Sequence, residues 1–122
     1  MSKKILTVDD SKTIREMVAY TLKDVGFEVV EAEDGQQALN LLSSSSVDVI
    51  ITDLNMPNID GLELIKKLRD DPKFKFTPIL MLTTEGDATK KQQGKDAGAT
   101  GWIVKPFNPE KLVQVVNKVC SS

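Results

Sequence analysis

Residues 49–53 read Val-Ile-Ile-Thr-Asp, a short apolar run that ends in a carboxylate. Three other short apolar runs also end in polar residues: Ile5-Leu6-Thr7-Val8 before Asp9-Asp10, Ile79-Leu80-Met81-Leu82 before Thr83, and Trp102-Ile103-Val104 before Lys105. If these runs are parallel strands of one sheet, their carboxyl ends lie along one edge. We therefore expect three carboxylates, a hydroxyl and an ammonium group to converge there.

Longer segments with helical periodicity separate the apolar runs, which predicts an α/β fold with crossover helices. The first predicted helix begins near Ser11 and ends at Gly26, and the second begins at Gly35 after the cap Asp34. The third contains Leu62, Ile65 and Leu68 and ends at Asp71-Pro72. The fourth covers 87–97 after the cap Asp87, and the fifth begins at Pro109 after the cap Asn108. One further strand, Glu28 to Ala32, completes the pattern, and the strand that leads to Asp53 is predicted to run from Val47 to Thr52.

Segment 87–97 is the weakest predicted helix, because Ala88 and Ala97 are its only apolar side chains. Gly94 lies inside it and costs about 1 kcal/mol relative to alanine. Its basic residues are Lys90, Lys91 and Lys95. The segment is interpreted as a solvated surface helix or as an easily reordered docking face for a partner, and these two interpretations are compatible.

Composition limits the class of protein. The 122 residues are expected to form one domain, residues 1–122. With 16 basic and 18 acidic residues the net charge is −2, which gives no reason to expect nucleic-acid binding. No apolar segment suits a signal region or a membrane span. Cys120 is the only cysteine, so a reducing, cytoplasmic location is expected.

The polar strand ends suit a magnesium site. Asp9, Asp10 and Asp53 should repel one another, and without a metal at least one should have a raised pKa. Oxygen ligands and the absence of histidine favour Mg²⁺, with Mn²⁺ as the alternative. A flavin phosphate would need neutral donors after the first strand, and no Gly-rich phosphate loop follows any run. Each acidic residue alone could be a solvated turn residue, but their shared placement favours a site.

Together these motifs resemble a response-regulator receiver domain. The motifs are Asp9-Asp10, Asp53 followed by Met56-Pro57 and Asp60-Gly61, Thr83-Thr84, and Lys105-Pro106-Phe107. The resemblance covers essentially the whole chain. It implies a doubly wound, five-stranded parallel sheet of the flavodoxin/CheY-like kind, with strand order 2-1-3-4-5 and five helices.

The resemblance also assigns roles to individual residues. It makes Asp53 the acceptor of a phosphoryl group from a histidine kinase. It gives Mg²⁺ the ligands Asp9, Asp10, Asp53 and the main-chain carbonyl of Asn55. Thr83 and Lys105 would contact the phosphoryl oxygens, and the Lys105-Pro106 bond would be cis. Such a protein is not a conventional enzyme, although it promotes its own phosphorylation and autodephosphorylation.

The resemblance narrows to stand-alone chemotaxis regulators of the CheY type. The shared marks are Asn55, Glu85, Gly98-Ala99 and an aromatic residue three positions before the lysine, here Trp102 rather than tyrosine. In that group Thr83 and the aromatic residue move on phosphorylation, whereas Asn55 and Glu85 tune phosphate loss. The simpler interpretation of Trp102 is a core or surface residue.

The implied partners are a CheA-like histidine kinase, a phosphatase and the flagellar switch protein. The switch protein would bind the face formed by the fourth helix, fifth strand and fifth helix, which carries Lys90, Lys91, Lys95 and Trp102. Basic residues on that face suggest an acidic partner peptide, and the chain itself is expected to be a monomer.

Two alternatives remain open. The first is a single-domain phosphate sink or phosphorelay intermediate. The second is a phosphatase of the haloacid-dehalogenase class, which places Asp-x-Asp after its first strand, whereas Asp9 and Asp10 are adjacent.

Overall fold

The computed structural model describes residues 3–54, 59–84, 88–105 and 107–120. In these ranges five parallel strands form one sheet in the order β2-β1-β3-β4-β5. The elements are β1 Lys4–Val8, α1 Lys12–Asp24, β2 Glu28–Ala32, α2 Gly35–Leu42, β3 Val49–Asp53, α3 Gly61–Asp70, a 3₁₀ turn Pro72–Phe74, β4 Ile79–Thr84, α4 Ala88–Ala97, β5 Gly101–Lys105 and α5 Pro109–Cys120. The predicted fold class, strand order and five helices are confirmed.

The register of the sheet places the carboxyl ends of its strands side by side. Val8 of β1 pairs with Thr52 of β3, and Asp53 pairs with Leu82 of β4. The chain leaves β1 for β2 on one side and reaches β3 on the other, so the strand order reverses between β1 and β3. In open α/β sheets, ligands bind outside the carboxyl ends at such a point.

Hydrophobic cores cover both faces of the sheet, and every residue of β3 is buried between them. Ile50 belongs to the core that receives α2 and α3, and Ile51 belongs to the core that receives α1 and α5. This alternation follows from the two-residue period of a strand. It explains why β3 is a continuous apolar run, as expected for a parallel strand covered on both faces.

Local capping chemistry defines the ends of the helices. The side chains of Ser11 and Asp34 accept the backbone N–H groups of Ile14 and Gln37 at 3.3 and 2.8 Å. The Oδ1 atom of Asn108 accepts the N–H of Glu110 at 2.8 Å. These caps were predicted and are present, whereas the predicted cap Asp87 lies outside the described residues.

The third strand begins at Val49 rather than at the predicted Val47. Asp48 pairs with the start of β1 through both its main chain and its side chain. Its N–H donates to the carbonyl of Lys4 at 2.7 Å, and its Oδ2 accepts the N–H of Lys4 at 2.7 Å. The Asp48 side chain thus occupies the N–H of Lys4, which a longer strand would use for its ladder, so the regular strand starts directly after Asp48.

Gly94 also has a packing role in α4, which its predicted propensity cost did not indicate. It is the buried residue of this helix. A Cβ atom at this position would overlap the sulfur of Met81 in β4. The absence of a side chain therefore lets α4 approach the sheet closely, and the helix is held by this approach although it has few apolar side chains.

An arginine clamp joins α3 to the connections that lead into β4 and into β5, and the sequence did not reveal it. The guanidinium of Arg69 donates to the carbonyls of Gly98 at 2.9 Å, Phe74 at 2.8 Å and Thr77 at 2.7 Å. Phe74, in the 3₁₀ turn, is buried against the α2 and α3 core. These carbonyls belong to loops, so residue spacing gives no sign of the contact.

Gly61→Ala should lower the free energy of unfolding by about 1–3 kcal/mol, the usual cost of overpacking. An added Cβ would overlap the carbonyl oxygen of Asp53 and lie 2.8 Å from the Cα of Leu54, which is backbone and cannot rotate away. Urea unfolding measures the change. Gly101→Ala is the matched control, because its Cβ meets only Leu80 Cδ2 at 3.5 Å. Equal effects of the two substitutions would contradict the assigned close approach.

Candidate metal and phosphoryl site

Three carboxylates meet at the reversal point of the sheet. Asp9 and Asp10 follow β1, and Asp53 is the last residue of β3. One oxygen from each of the three lies within 4.8 Å of the other two. Asp9 is fully buried and Asp53 nearly so, whereas Asp10 is exposed. Two of the negative charges are therefore largely removed from water, and one faces the solvent.

The ammonium group of Lys105 lies between the two buried carboxylates. Its Nζ is 2.9 Å from Oδ1 of Asp53 and 3.2 Å from Oδ2 of Asp9. Lys105 ends β5, two strands away from β3 in the sheet, so its side chain passes the end of β4 to reach them. Only 19% of the Lys105 side chain is exposed, so water screens these ion pairs weakly.

The environment shifts the pKa values of two of these groups. Burial raises the pKa of Asp9, and the nearby charge of Asp53 adds to this effect, although the Ser11 N–H and Lys105 oppose it. Burial alone would lower the pKa of Lys105, but its hydrogen bond and charge attraction to Asp53, with attraction to Asp9, raise that pKa overall. The buried negative charge of Asp9 is therefore incompletely compensated.

The two oxygens of Asp9 differ in their partners. Oδ1 accepts the backbone N–H of Ser11 at 2.9 Å. Oδ2 is buried and lies 3.2 Å from the Lys105 ammonium, an ion pair that satisfies it only in part. A second cation would complete the partners of this buried carboxylate oxygen. The donor set of carboxylates fits Mg²⁺ or Mn²⁺.

Asp53 is held in one orientation by groups on its own strand end and by Lys105. Its Oδ1 accepts the backbone N–H of Leu54 at 2.9 Å as well as the Lys105 ammonium. The hydroxyl of Thr52 donates to its main-chain carbonyl at 2.8 Å. These contacts fix the carboxylate at the strand end, with Oδ1 occupied by two donors.

Thr83 and Trp102 lie on neighbouring strands beside this cluster. Thr83 is buried on β4, one position beyond the residue that pairs with Asp53. Trp102 is 42% exposed, and the Nζ of Lys91 lies 5.5 Å from the centroid of its ring. The ring therefore lies on the outer surface of β5, against the basic face of α4. A cavity of about 100 Å³ adjoins it, lined by residues that include Met81, Ala99 and Gly101.

Several expected site residues cannot be placed. Asn55 and Glu85 lie outside the described residues, as does Pro106 and with it the expected cis bond. The structure thus brings together Asp9, Asp10, Asp53 and Lys105, and puts Thr83 at the same edge of the sheet.

Arg15 is a residue near the site that the sequence reasoning missed. Its Nη1 donates to the main-chain carbonyl of Asp9 at 2.6 Å, and its Nε lies 3.5 Å from Oε1 of Glu31. One sequence signal was available: a cation close to the amino end of a helix opposes the helix dipole, so it calls for a specific partner.

Asp9→Asn should raise the stability of the metal-free protein and abolish its stabilisation by Mg²⁺. An asparagine keeps an oxygen for the Ser11 N–H but removes the buried charge whose pKa burial raises. The buried charge destabilises the folded protein at pH values above the folded-state pKa of Asp9, and this destabilisation is lost as the pH falls through that pKa. The gain should therefore be full at neutral pH and vanish below the usual Asp pKa of about 3.9.

Thermal unfolding in EDTA and in MgCl₂ measures both effects of Asp9→Asn. Asp10→Asn is the matched control, because it removes the same charge and a candidate ligand from an exposed position. It should weaken the Mg²⁺ response but change metal-free stability by less than about 0.5 kcal/mol. A lower melting temperature for Asp9→Asn in EDTA at neutral pH would contradict the prediction.

Within the described ranges, every helix is too short or too polar to cross a bilayer.

Comparison with known proteins gives one consistent result. The family model of the response regulator receiver domain matches residues 5–117. Chemotaxis protein CheY1 of Helicobacter pylori is 44% identical over 118 residues, which is 95% of each chain. A CheY homolog of Campylobacter jejuni is also 44% identical, over 95% of this chain and 91% of its own length.

Solved structures agree with these matches. The chemotaxis response regulator CheY4 of Vibrio cholerae superimposes with a TM-score of 0.93 and is 53% identical, over 98% of this chain and 99% of its own. A putative response regulator from Chloroflexus aurantiacus gives a TM-score of 0.97 at 38% identity, with both chains fully covered. With the acidic cluster and Lys105 at the carboxyl edge of the sheet, these similarities show that the chain belongs to the response regulator receiver domain family and is of the CheY type.

Proposed function

We propose that this protein is a phosphorylation-activated messenger of a two-component system, with Asp53 as phosphoacceptor. The observation that carries the proposal is the Lys105 ammonium held at 2.9 Å from Asp53 inside a cluster of three carboxylates. A phosphoryl group carries negative charge into a site that is already acidic. Transfer therefore requires cations at the site, and Lys105 supplies one of them.

The bond changes assign a task to each oxygen of Asp53. Because Oδ1 accepts Leu54 N–H and Lys105, we assign the attack to Oδ2. The new bond joins Oδ2 to phosphorus, and the phosphorus–nitrogen bond to the kinase histidine breaks. The bonding electrons remain on the ring nitrogen, and the ring takes up one proton from water, so that the kinase histidine leaves as neutral imidazole. Little covalent chemistry is left for the receiver, so positioning and charge compensation dominate.

Other residues complete the site. Asp9, Asp10 and Asp53 would hold Mg²⁺, together with the main-chain carbonyl of Asn55. When bound, the metal neutralises charge on the phosphoryl oxygens. After transfer, Lys105 would contact one phosphoryl oxygen, because the negative charge then lies on the phosphoryl group rather than on the carboxylate. The Thr83 hydroxyl would donate a hydrogen bond to another phosphoryl oxygen. The same arrangement would support phosphorylation by small phosphodonors and slow autodephosphorylation, with Asn55 and Glu85 adjusting the access of water.

Output is proposed to be a change in the face formed by α4, β5 and α5. Relatives that share 44% of their residues with this chain are named chemotaxis proteins, which favours control of the flagellar motor. The partners would then be a CheA-like histidine kinase, a flagellar switch protein and a phosphatase, all met in the cytoplasm. Residues 1–122 would act as one receiver domain.

The second candidate is a phosphate sink or phosphorelay intermediate, which needs the same acceptor but no motor target. The half-exposed Trp102 against Lys91 on the output face favours the messenger, because a sink needs no such aromatic group. Binding of the beryllofluoride-treated protein to the flagellar switch separates the two. The family assignment leaves no support for the haloacid-dehalogenase phosphatase.

Incubation with acetyl phosphate and Mg²⁺ should add one phosphoryl group to the intact protein, measured by mass spectrometry. Asp53→Asn should gain none, because an amide oxygen cannot form the acyl phosphate. Asp48→Asn is the matched control, since it removes a carboxylate that lies outside the site and pairs with Lys4. Equal phosphorylation of Asp53→Asn and wild type would contradict the assignment of the acceptor.

Beryllofluoride with Mg²⁺ should shift the fluorescence of Trp102 to shorter wavelength. Trp102 is the only tryptophan, and the residue is partly exposed, so movement of its ring toward the protein interior would remove the ring from water. Asp53→Asn should show no shift under the same conditions. A spectrum of the wild-type protein that does not change, with binding shown by a raised melting temperature, would mean that the ring stays on the surface.

A further inference from the structure

Arg15 connects the start of α1 to both β1 and the edge strand β2. Its guanidinium donates from Nη1 to the carbonyl of Asp9 at 2.6 Å, and its Nε lies 3.5 Å from Oε1 of Glu31. The Arg15 side chain is 13% exposed and that of Glu31 is 34% exposed. A largely buried cation thus lies between a main-chain carbonyl at the acidic cluster and a carboxylate on the neighbouring strand.

The position of Arg15 is unfavourable by local rules. A positive charge near the amino end of a helix opposes its dipole, and the first turn of α1 holds no acidic residue to offset it. Burial of a guanidinium adds a desolvation cost unless its donors are satisfied. The hydrogen bond to the Asp9 carbonyl and the ion pair with Glu31 offset part of this cost, which accounts for an arginine at this position.

Asp9 is fixed by three hydrogen bonds, one of which comes from Arg15. Its N–H donates to the carbonyl of Ala32 at 3.1 Å, and its Oδ1 accepts the N–H of Ser11 at 2.9 Å. The guanidinium holds the remaining main-chain group, the carbonyl. Because these bonds fix the main chain on both sides of Asp9, its Oδ2 faces the acidic cluster. The chain then continues from β1 to Asp10 in a defined direction.

We propose that Arg15, oriented by Glu31, is a positioning residue for the cation site formed by Asp9, Asp10 and Asp53. Arg15 touches neither the cation nor the phosphoryl group. It acts by holding the turn between β1 and α1, from which two of the three carboxylates project. This inference rests on the proposed Mg²⁺ site and adds a role that the acidic cluster alone does not require.

Positioning and simple charge effects predict opposite results for Arg15. Removal of a positive charge near a cation site should strengthen Mg²⁺ binding if only Coulomb interaction matters. Removal of a group that orients the ligands should weaken it, typically by 10- to 100-fold for partners of metal ligands. The sign of the change therefore separates the two explanations.

Isothermal titration of the metal-free protein with MgCl₂ tests the proposal. Arg15→Met should weaken binding about tenfold, since methionine fits a helix but cannot donate to the Asp9 carbonyl. Lys12→Met is the matched control. It removes the same charge from the start of the same helix, where Lys12 is 80% exposed and its recorded ion pair is with Glu16 at 3.8 Å. It should leave the affinity unchanged within about twofold.

A second pair of variants tests the anchor and covers the case in which Arg15→Met does not fold. Glu31→Gln should weaken Mg²⁺ binding more than Glu16→Gln, which removes the same charge from an exposed site. Arg15→Lys should also weaken binding, because one ammonium lacks the fork that reaches both acceptors. Saturating Mg²⁺ should restore phosphorylation by acetyl phosphate to within about twofold in all folded variants, because the reacting groups are intact.

Unchanged or tighter Mg²⁺ binding in Arg15→Met, or in both Arg15→Lys and Glu31→Gln, would overturn the proposal. A rate that stays low at saturating Mg²⁺ would also overturn it, because Arg15 would then act on the chemistry itself. Failure of the wild-type protein and of Lys12→Met to bind Mg²⁺ would instead reject the metal site of the proposed function.

Discussion

The central constraint in this structure is the confinement of two negative charges at the ends of neighbouring strands. Asp9 is fully buried and Asp53 is 7% exposed, and Lys105 is the cation that contacts both. Two buried carboxylates at such separation repel strongly unless a positive charge lies beside them. One ammonium leaves the cluster with excess negative charge, which is the electrostatic condition for holding a further cation there.

The parallel sheet makes this arrangement unavoidable for the sequence. A parallel register aligns the carboxyl ends of β1, β3 and β5, so residues at the end of each strand or directly after it meet at one edge. Burial of β3 on both faces anchors Asp53, and the close approach of Gly61 to the Asp53 carbonyl sets the start of α3. Hydrophobic packing on two faces stabilises the fold, while the acidic edge reduces its stability. Proteins commonly trade stability for function in this way.

The sequence predicted those features that depend on local chemistry. Caps such as Ser11 and Asp34 are recognisable because the side chain bonds to its own helix, and strand ends are recognisable by a change from apolar to polar residues. Features that depend on contacts distant in sequence were missed or misread. The sequence indicated only the propensity cost of Gly94, whereas its lack of a side chain also accommodates Met81 of β4.

Arg15 illustrates the same limit at the site itself. Its partners, Asp9 and Glu31, are 6 and 16 positions away along the chain and meet it only after the sheet has formed. Asp48 likewise shortened the predicted β3 through a contact with Lys4. In each case an ordinary charged residue acquires a specific role from a main-chain group of another element. Periodicity and motif spacing do not carry that information.

The most direct test of the charge balance is an NMR titration of the Lys105 side chain against pH, with and without Mg²⁺. In the metal-free protein the pKa of Lys105 should lie above its ordinary value, since its hydrogen bond and attraction to Asp53, with attraction to Asp9, outweigh the effect of burial. Addition of Mg²⁺ should lower that pKa, because a second cation then shares the same carboxylates. An ordinary pKa in the metal-free protein, or no response to Mg²⁺ that is shown to be bound, would contradict the bridging role of Lys105.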